Sequence, residues 1–197
     1  MAHSQRRQRG QAIVETALAV PLMVLLLLGA FVGGAFVTSR VSATNAARQG
    51  ARIAALLGGQ TIDPAQSAGV NQGLVDARIL STVLAAAKLP NSTITEIDIY
   101  CQEGPKCTNS PGTPLAGAPA DGSFVSGFDY DKFDGSGNPD ITQQSFTLDK
   151  RTQAPPDEAS VGLRIKYAFT SPINGTFSEF TQTLIAYAVM KAGSVLV

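Results

Sequence analysis

Four aspartates between residues 129 and 140 have the types and spacing of metal ligands. Asp129, Asp131, Asp134 and Asp140 alternate with other residues, and glycines stand at positions 135 and 137. Ca²⁺ binds several oxygen ligands around a tight turn, so carboxylates at alternate positions followed by glycine are typical of calcium loops. The spacing departs from the EF-hand pattern and lacks its terminal glutamate. A calcium site and a solvated acidic turn both remain open.

Residues for catalysis are scarce in this sequence. The single histidine is His3, near the N-terminus, and no phosphate-binding or dinucleotide-binding motif is present. A catalytic triad or a histidine-ligated metal centre in the body of the chain is therefore not expected. The adjacent Asp157 and Glu158 follow two prolines in a stretch typical of an exposed loop. The sequence predicts a protein that is not an enzyme and that needs no cofactor beyond the calcium considered above.

A glycine and a glutamate precede a long apolar segment. The 21 residues from Ala17 to Val37 carry no charged side chain, and as a helix they extend ~31 Å, the thickness of the hydrocarbon layer of a membrane. Three arginines lie within residues 1–10, without an acidic residue. The pattern predicts a single-pass helix in the inner (cytoplasmic) membrane, with the N-terminus in the cytoplasm and the body outside. A secretion signal cleaved near Gly33 and Ala35 is the alternative.

Glu15 is unusual in this position because a carboxylate inside a bilayer costs about 3 kcal/mol. A shallow location at the headgroups would explain it. The order of a basic leader, Gly10, four residues, Glu15 and an apolar run is also similar to the processing site of type IV prepilins, which a dedicated peptidase cuts after the glycine. That resemblance implies cleavage between Gly10 and Gln11. It also implies that Glu15 pairs with the new amino terminus of a neighbouring subunit.

The resemblance extends to a second motif further along the chain. Residues 10–18 (GQAIVETAL), then Pro21 and a leucine-rich run, then residues 45–52 (NAARQGAR) closely resemble the TadE-like family. These are minor pilins or pseudopilins of tight-adherence (Flp) pilus systems. Thr16 departs from the pattern, since many pilin-like sequences carry a larger apolar residue there. The resemblance implies these partners: other pilin subunits, the prepilin peptidase, the membrane and the pilus assembly platform.

Small residues in the apolar segment favour contact with a second helix. Gly29 and Gly33 form a GxxxG pair, which lets two helix backbones approach closely within a membrane. The general frequency of glycine in membrane helices is the alternative explanation. The helix is expected to continue beyond the membrane and to stop at Gly58 and Gly59.

The remaining sequence predicts a small head with mixed secondary structure. A second helix is predicted over residues 65–89, and strands are predicted over 93–100 and 161–169. Residues 177–190 fit either a helix or a strand, and the family resemblance favours a closing strand. Residues 109–156 are rich in Gly, Pro, Ser and Asp and predict a long surface loop. The apolar stripe of the second helix is expected at Val70, Leu74, Ala77, Leu80 or Ser81, and Leu84.

Cys101 and Cys107 are the only cysteines, and they enclose a Gly-Pro turn. In an exported chain this spacing favours a disulfide. A zinc site is less favoured because one pair without nearby histidine supplies too few ligands. Reduced thiols remain open if the surroundings are not oxidising.

These elements predict an α+β, pilin-like fold with a long N-terminal helix and a small head. We expect a basic leader at 1–10, a transmembrane and stalk helix at 11–58, and an extracytoplasmic head at 60–197 with a second helix and an antiparallel sheet. The head carries nine Lys or Arg against fourteen Asp or Glu, so its charge does not favour nucleic acid. The expected function is a structural minor pilin or pseudopilin that primes, caps or joins an adhesion or secretion filament. The alternative is an anchored or secreted binding module that uses the 109–156 loop, with or without calcium.

Overall fold

The computed structural model describes residues 3–104, 107, 124, 128–151, 158–173 and 181–192, with side chains from residue 13 onward. Its first element is helix α1, His3–Leu57, which continues through Pro21. Gly58 follows with φ +28°, a left-handed conformation that glycine adopts without strain, and its amide donates to the carbonyl of Ala54. The predicted long helix and its glycine stop are confirmed.

Helix α2 spans Ala68–Ala86, inside the predicted range, and Ser67 caps it by accepting a hydrogen bond from the amide of Val70. The predicted buried stripe is correct at Leu80 and Leu84, which pack in or against the core, and wrong in its first half, since Val70 and Leu74 are 47% and 42% exposed. The buried positions include two polar residues, which is why the apolar pattern alone misplaced the stripe. They are Asn71, Val75, Asp76, Ile79, Leu80 and Val83.

Five antiparallel strands form one sheet with the order β3-β2-β1-β4-β5. The strands are β1 (Ser92–Glu103), β2 (Tyr130–Asp134), β3 (Pro139–Gln144), β4 (Ser160–Thr170) and β5 (Thr181–Lys191). The two predicted strands correspond to β1 and β4, and the ambiguous C-terminal segment is a strand in its described part, from residue 181 onward. The α+β fold with a stalk helix and a small head is confirmed.

The prediction of a loop throughout residues 109–156 is wrong for its second half. Residues 130–144 form the β2–β3 hairpin, which pairs with β1, and a short 3-10 helix follows at Leu148–Lys150. The sequence does not predict the hairpin, because the inward-facing Asp131 interrupts the apolar alternation of β2. The parts of the predicted loop at residues 109–127, except Phe124, and at residues 152–156 lie outside the described residues.

The core forms where α1 and α2 cover one face of the sheet. On α1 the buried positions are all small residues: Ser39, Ala43, Ala46, Ala47, Gly50, Ala51, Ala54 and Ala55. Ile97 and Ile99 of β1 and Leu163, Ile165 and Tyr167 of β4 are fully buried against this layer. Small residues bring the helix axis close to the sheet, so the head packs tightly on the second half of α1.

Candidate functional site

The predicted processing and assembly residues all lie on α1. Gly10 and Gln11 are within its helical backbone, and Glu15 is exposed one turn further on. Gly29 and Gly33 are open, because a Cβ atom added at either position would have no neighbour within 4 Å. The structure therefore leaves this half of the helix without a partner from the described part of the same chain.

The exposed half of α1 is strongly apolar. Large side chains from Ile13 to Val37 are mostly exposed, with Leu18 at 74% and Leu27 at 71%. Its most apolar stretch has a mean hydropathy of 2.5, and α1 is long and apolar enough to cross a membrane. An exposed apolar surface of this extent is typical of a site of contact with a membrane or with other protein segments.

The head begins at a defined point on α1. The ring of Phe36 packs edge-on against Phe169 of β4, with 5.3 Å between the ring centroids. Ser39 and Ser42 then donate hydrogen bonds to the carbonyls of Pro90 and Lys88, at 2.6 and 2.8 Å. These contacts fix the end of α2 and the start of β1 against the helix just beyond its exposed apolar half.

Cys101 and Cys107 form a disulfide. The predicted pairing is thus confirmed, and it closes a short loop after the end of β1. Cys101 lies near the end of β1 and belongs to the buried core, so the disulfide ties this loop to the core.

The four aspartates of the predicted calcium loop have separate surroundings. Asp129 pairs with the ammonium group of Lys150 at 2.6 Å. Asp134 accepts hydrogen bonds from the amides of Ser136 and Asn138, and Asp140 accepts one from the amide of Thr142. Within the described ranges, no group of three or more His, Cys, Asp or Glu is placed to hold a metal ion.

Asp131, the fourth of these residues, belongs to a buried charge cluster that connects α2 to the hairpin. The guanidinium group of Arg151 is fully buried and lies 2.6 Å from the carboxylate of Asp76 and 2.5 Å from that of Asp131. Its Nε donates to the carbonyl of Phe146, whose own amide donates to Asp131. The guanidinium group of Arg151 thus forms ion pairs with one carboxylate from α2 and one from β2.

Burial shifts the protonation of this cluster. Removal from water raises the pKa of Asp131 to about 6, although the charge of Arg151 acts in the opposite direction. The pKa of Asp76 is raised for the same reason. The carboxylates are hydrogen-bonded within the head, so their arrangement supports a structural role.

A second buried cluster lies on the other face of the sheet and was not predicted from the sequence. Arg164 of β4 is almost fully buried, and its Nε donates to Asp98 of β1 at 2.7 Å. Glu96 accepts from the same guanidinium group at 3.0 Å and also pairs with Lys132 at 3.4 Å. The ring of Phe124 covers Arg164 at 4.1 Å. Burial raises the pKa of Asp98 to about 6.

A cleft of about 460 Å³ separates α2 from the hairpin. Leu80, Phe133 and Ile141 give it apolar walls, and Asp76 and Gln72 supply polar groups. The carboxylate of Asp76 is already paired with Arg151. The cleft has no arrangement of nucleophile, base and acid that would indicate catalysis.

These features define a class of protein: a long helix, apolar and exposed in its first half, carries a small α+β head on its second half. The family described as TadE-like protein has a model that matches residues 10–52. The match covers the predicted processing site, Glu15, the apolar segment and the first part of the stalk beneath the head. The comparisons with curated proteins and with solved structures give no match.

Proposed function

We propose that this protein is a structural subunit, a minor pilin or pseudopilin, of a tight-adherence type pilus or a related secretion filament. The observation that carries the proposal is the exposed apolar half of α1, which projects from the head and lies within the matched residues 10–52. A helix of this kind is held by lipid before assembly and by neighbouring subunits afterwards. The TadE-like match indicates association with a pilus.

The proposed sequence of events begins at the membrane. The N-terminus lies in the cytoplasm and the head lies outside, because the three leader arginines favour the cytoplasmic side. A prepilin peptidase cuts between Gly10 and Gln11, and the assembly platform then moves the subunit into the filament. The open faces at Gly29 and Gly33 let neighbouring helices approach.

Glu15 has an electrostatic role in this proposal. Its carboxylate is paired with the amino terminus of a neighbouring subunit, which offsets the cost of placing both charges away from water. Because the pair forms at only one axial offset between two helices, it also sets the register of the filament. The exposed position of Glu15 in the single chain is compatible with a partner from another copy.

Replacing Glu15 with Gln or Ala tests this role. Both variants are expected to insert into the membrane at normal levels, whereas their incorporation into filaments falls at least about tenfold, since a tenfold change corresponds to ~1.4 kcal/mol. Filament incorporation is measured by shearing filaments from cells and quantifying the subunit. Glu103→Gln, an exposed acid at the end of β1, is the matched control. Normal incorporation of both Glu15 variants would refute the pairing.

A further inference from the structure

Three arginines form an exposed stripe along the part of α1 that carries the head. Arg40, Arg48 and Arg52 are all exposed. Arg48 and Arg52 are four residues apart and lie on neighbouring turns, and Arg40 lies about two turns before Arg48. None of the three has an ion pair with another described residue, and α1 contains no acidic residue beyond Glu15. We call Arg40, Arg48 and Arg52 the arginine stripe.

The distance of the stripe from the membrane decides what it can contact. Arg48 and Arg52 lie 11 and 15 residues beyond Val37, the last residue of the uncharged segment, which corresponds to ~16 and ~22 Å along a helix. The headgroup layer on one side of a bilayer is ~5 to 8 Å thick. Lipid therefore reaches Arg40 and leaves the other two arginines for a protein partner.

A complementary surface lies at the opposite edge of the sheet. Ile141 on edge strand β3 is 87% exposed, and the acidic side chains of Asp134 and Asp140 lie beside it in the hairpin. We call these three residues the hairpin edge. Hydrogen bonds from Asn138 to Asp134 and from Thr142 to Asp140 hold both carboxylates in place and lower their pKa values, so both stay charged near neutral pH.

We propose that Arg48 and Arg52, in the arginine stripe of one copy, bind the hairpin edge of a second copy of this chain. The charges are opposite, and each surface includes one exposed aliphatic side chain, Val41 at 54% on α1 and Ile141 on β3. This proposal rests on the proposed function and names the contact between heads that accompanies packing of the apolar helices.

Each copy carries both surfaces, so it can contact one neighbour through its arginines and another through its hairpin edge. Helix α1 packs on β4 and β5 at one edge of the sheet, whereas the hairpin edge lies at β3, the opposite edge strand. Because the two surfaces differ, their contact is heterologous and leaves one of each free on every pair of copies. Contacts of this type form rings or open helical filaments.

The heights of the two surfaces set the axial offset. Phe133 pairs with Ile97 and Pro139, and Asp131 pairs with Ile99 and Gln144, so Ile141 lies between the levels of Ile97 and Ile99. Ile99 pairs with Leu163, which contacts α1 at Gly50. The hairpin edge therefore lies near the height of Arg48 and Arg52, and a second copy at a similar height brings its hairpin edge beside them.

Site-specific photocross-linking of the full chain in native membranes and sheared filaments tests the proposal. Benzoylphenylalanine at position 141 is expected to cross-link to the segment 40–52 of a second copy, as identified by mass spectrometry. The combined Arg48→Glu and Arg52→Glu changes should lower the yield about tenfold, as expected for removal of close charge pairs. Arg78→Glu, an exposed arginine of α2, is the matched control and should leave the yield unchanged.

Charge exchange makes the test specific. Asp140→Arg alone should lower the yield at position 141, and adding Arg48→Glu to the same chain should restore it. A cross-link to another segment, a cross-link to a different protein, or no effect of the arginine changes would overturn the proposal.

A second cross-linker position separates this inference from the proposed function. Benzoylphenylalanine at Leu26, which is 66% exposed in the apolar half of α1, reports on packing of the apolar helices. A cross-link between copies at 26 without one at 141 would reject the head contact and leave the pilus role standing. Absence of both, together with an uncut leader, would reject both.

Discussion

Gly50 lies where α1, α2 and β4 meet, and the contact leaves no room for a side chain. A Cβ atom at this position would overlap methyl groups of Val83 and Leu163. Gly50→Ala is therefore expected to lower the free energy of unfolding by about 1 to 3 kcal/mol, in spite of the higher helix propensity of alanine. The measurement is thermal or chemical unfolding of the full chain in detergent.

The matched control for Gly50 is Gly73 on α2, where an added Cβ atom would have no neighbour within 4 Å. Gly73→Ala should leave stability unchanged or raise it by up to about 1 kcal/mol, because alanine restricts the unfolded chain. Equal effects of the two substitutions would show that α1 does not pack against the sheet as described.

Asp98 gives the stability of the head a dependence on pH. Its pKa is raised from 3.8 to about 6 in the folded state, so the neutral form is favoured by folding. The resulting contribution is fully present below pH ~4 and is lost as the pH rises through about 6. Asp98→Asn should therefore reduce the fall in free energy of unfolding between pH 4.5 and 7.5 by about 1 to 3 kcal/mol.

The exposed acids act in a different pH range and do not obscure this effect. Hydrogen bonds lower the pKa values of Asp134 and Asp140, so the stability they contribute is lost only as the pH falls below ~4. An unchanged pH dependence in the Asp98→Asn variant, measured by urea unfolding at several pH values, would contradict the role given to Asp98.

At the scale of elements, Arg151 holds α2 and the hairpin together. Arg151→Met would leave the carboxylates of Asp76 and Asp131 buried without their cation, which costs about 3 to 5 kcal/mol in comparable sites. The loss should be smaller at pH 5 than at pH 7.5, because both acids have raised pKa values and take up a proton as the pH falls. Unfolding of the full chain at the two pH values measures it.

A triple variant separates the charge from the packing. Adding Asp76→Asn and Asp131→Asn to Arg151→Met removes the unpaired carboxylates, and part of the lost stability should return. If the triple variant is no more stable than Arg151→Met alone, the cluster does not act through its charges.

The Arg151 cluster explains why the buried face of α2 and the β2–β3 hairpin could not be predicted from the sequence. Helix α1 and strands β1 and β4 follow from long apolar runs and regular alternation, which are local signals. Asp76 and Asp131 occupy buried positions only because Arg151 lies beside them, 75 and 20 residues away in sequence. Without that pairing, the apolar pattern of the sequence predicts a different buried stripe for α2 and an acidic loop in place of the hairpin.

The Arg164 cluster went unpredicted for a related reason. Arg164 alternates with apolar residues in β4 and has the pattern of an exposed charge. Its burial depends on the pairing of β4 with β1 and on the ring of Phe124 above it. By contrast, the candidate assembly residues on α1 are predicted from a spacing that is continuous along one helix, and their role stays a prediction.

At the scale of the whole molecule, α1 changes character at Phe36. From Ile13 to this residue most side chains are apolar and exposed, whereas beyond it the buried face consists of serine, alanine and glycine beneath the head. One continuous helix therefore serves lipid or neighbouring helices in its first half and its own head in its second. This division is the structural basis for the proposed role as a filament subunit.

The mass of the mature N-terminal peptide, isolated from native membranes, tests that role most directly. The proposal predicts a chain that begins at Gln11, with a methyl group on its amino nitrogen if the processing enzyme also methylates as the prepilin resemblance implies. An intact leader, or a chain that begins near Phe36, would contradict prepilin processing. The protein would then be an anchored or secreted module, and Glu15 would have no amino terminus to pair with.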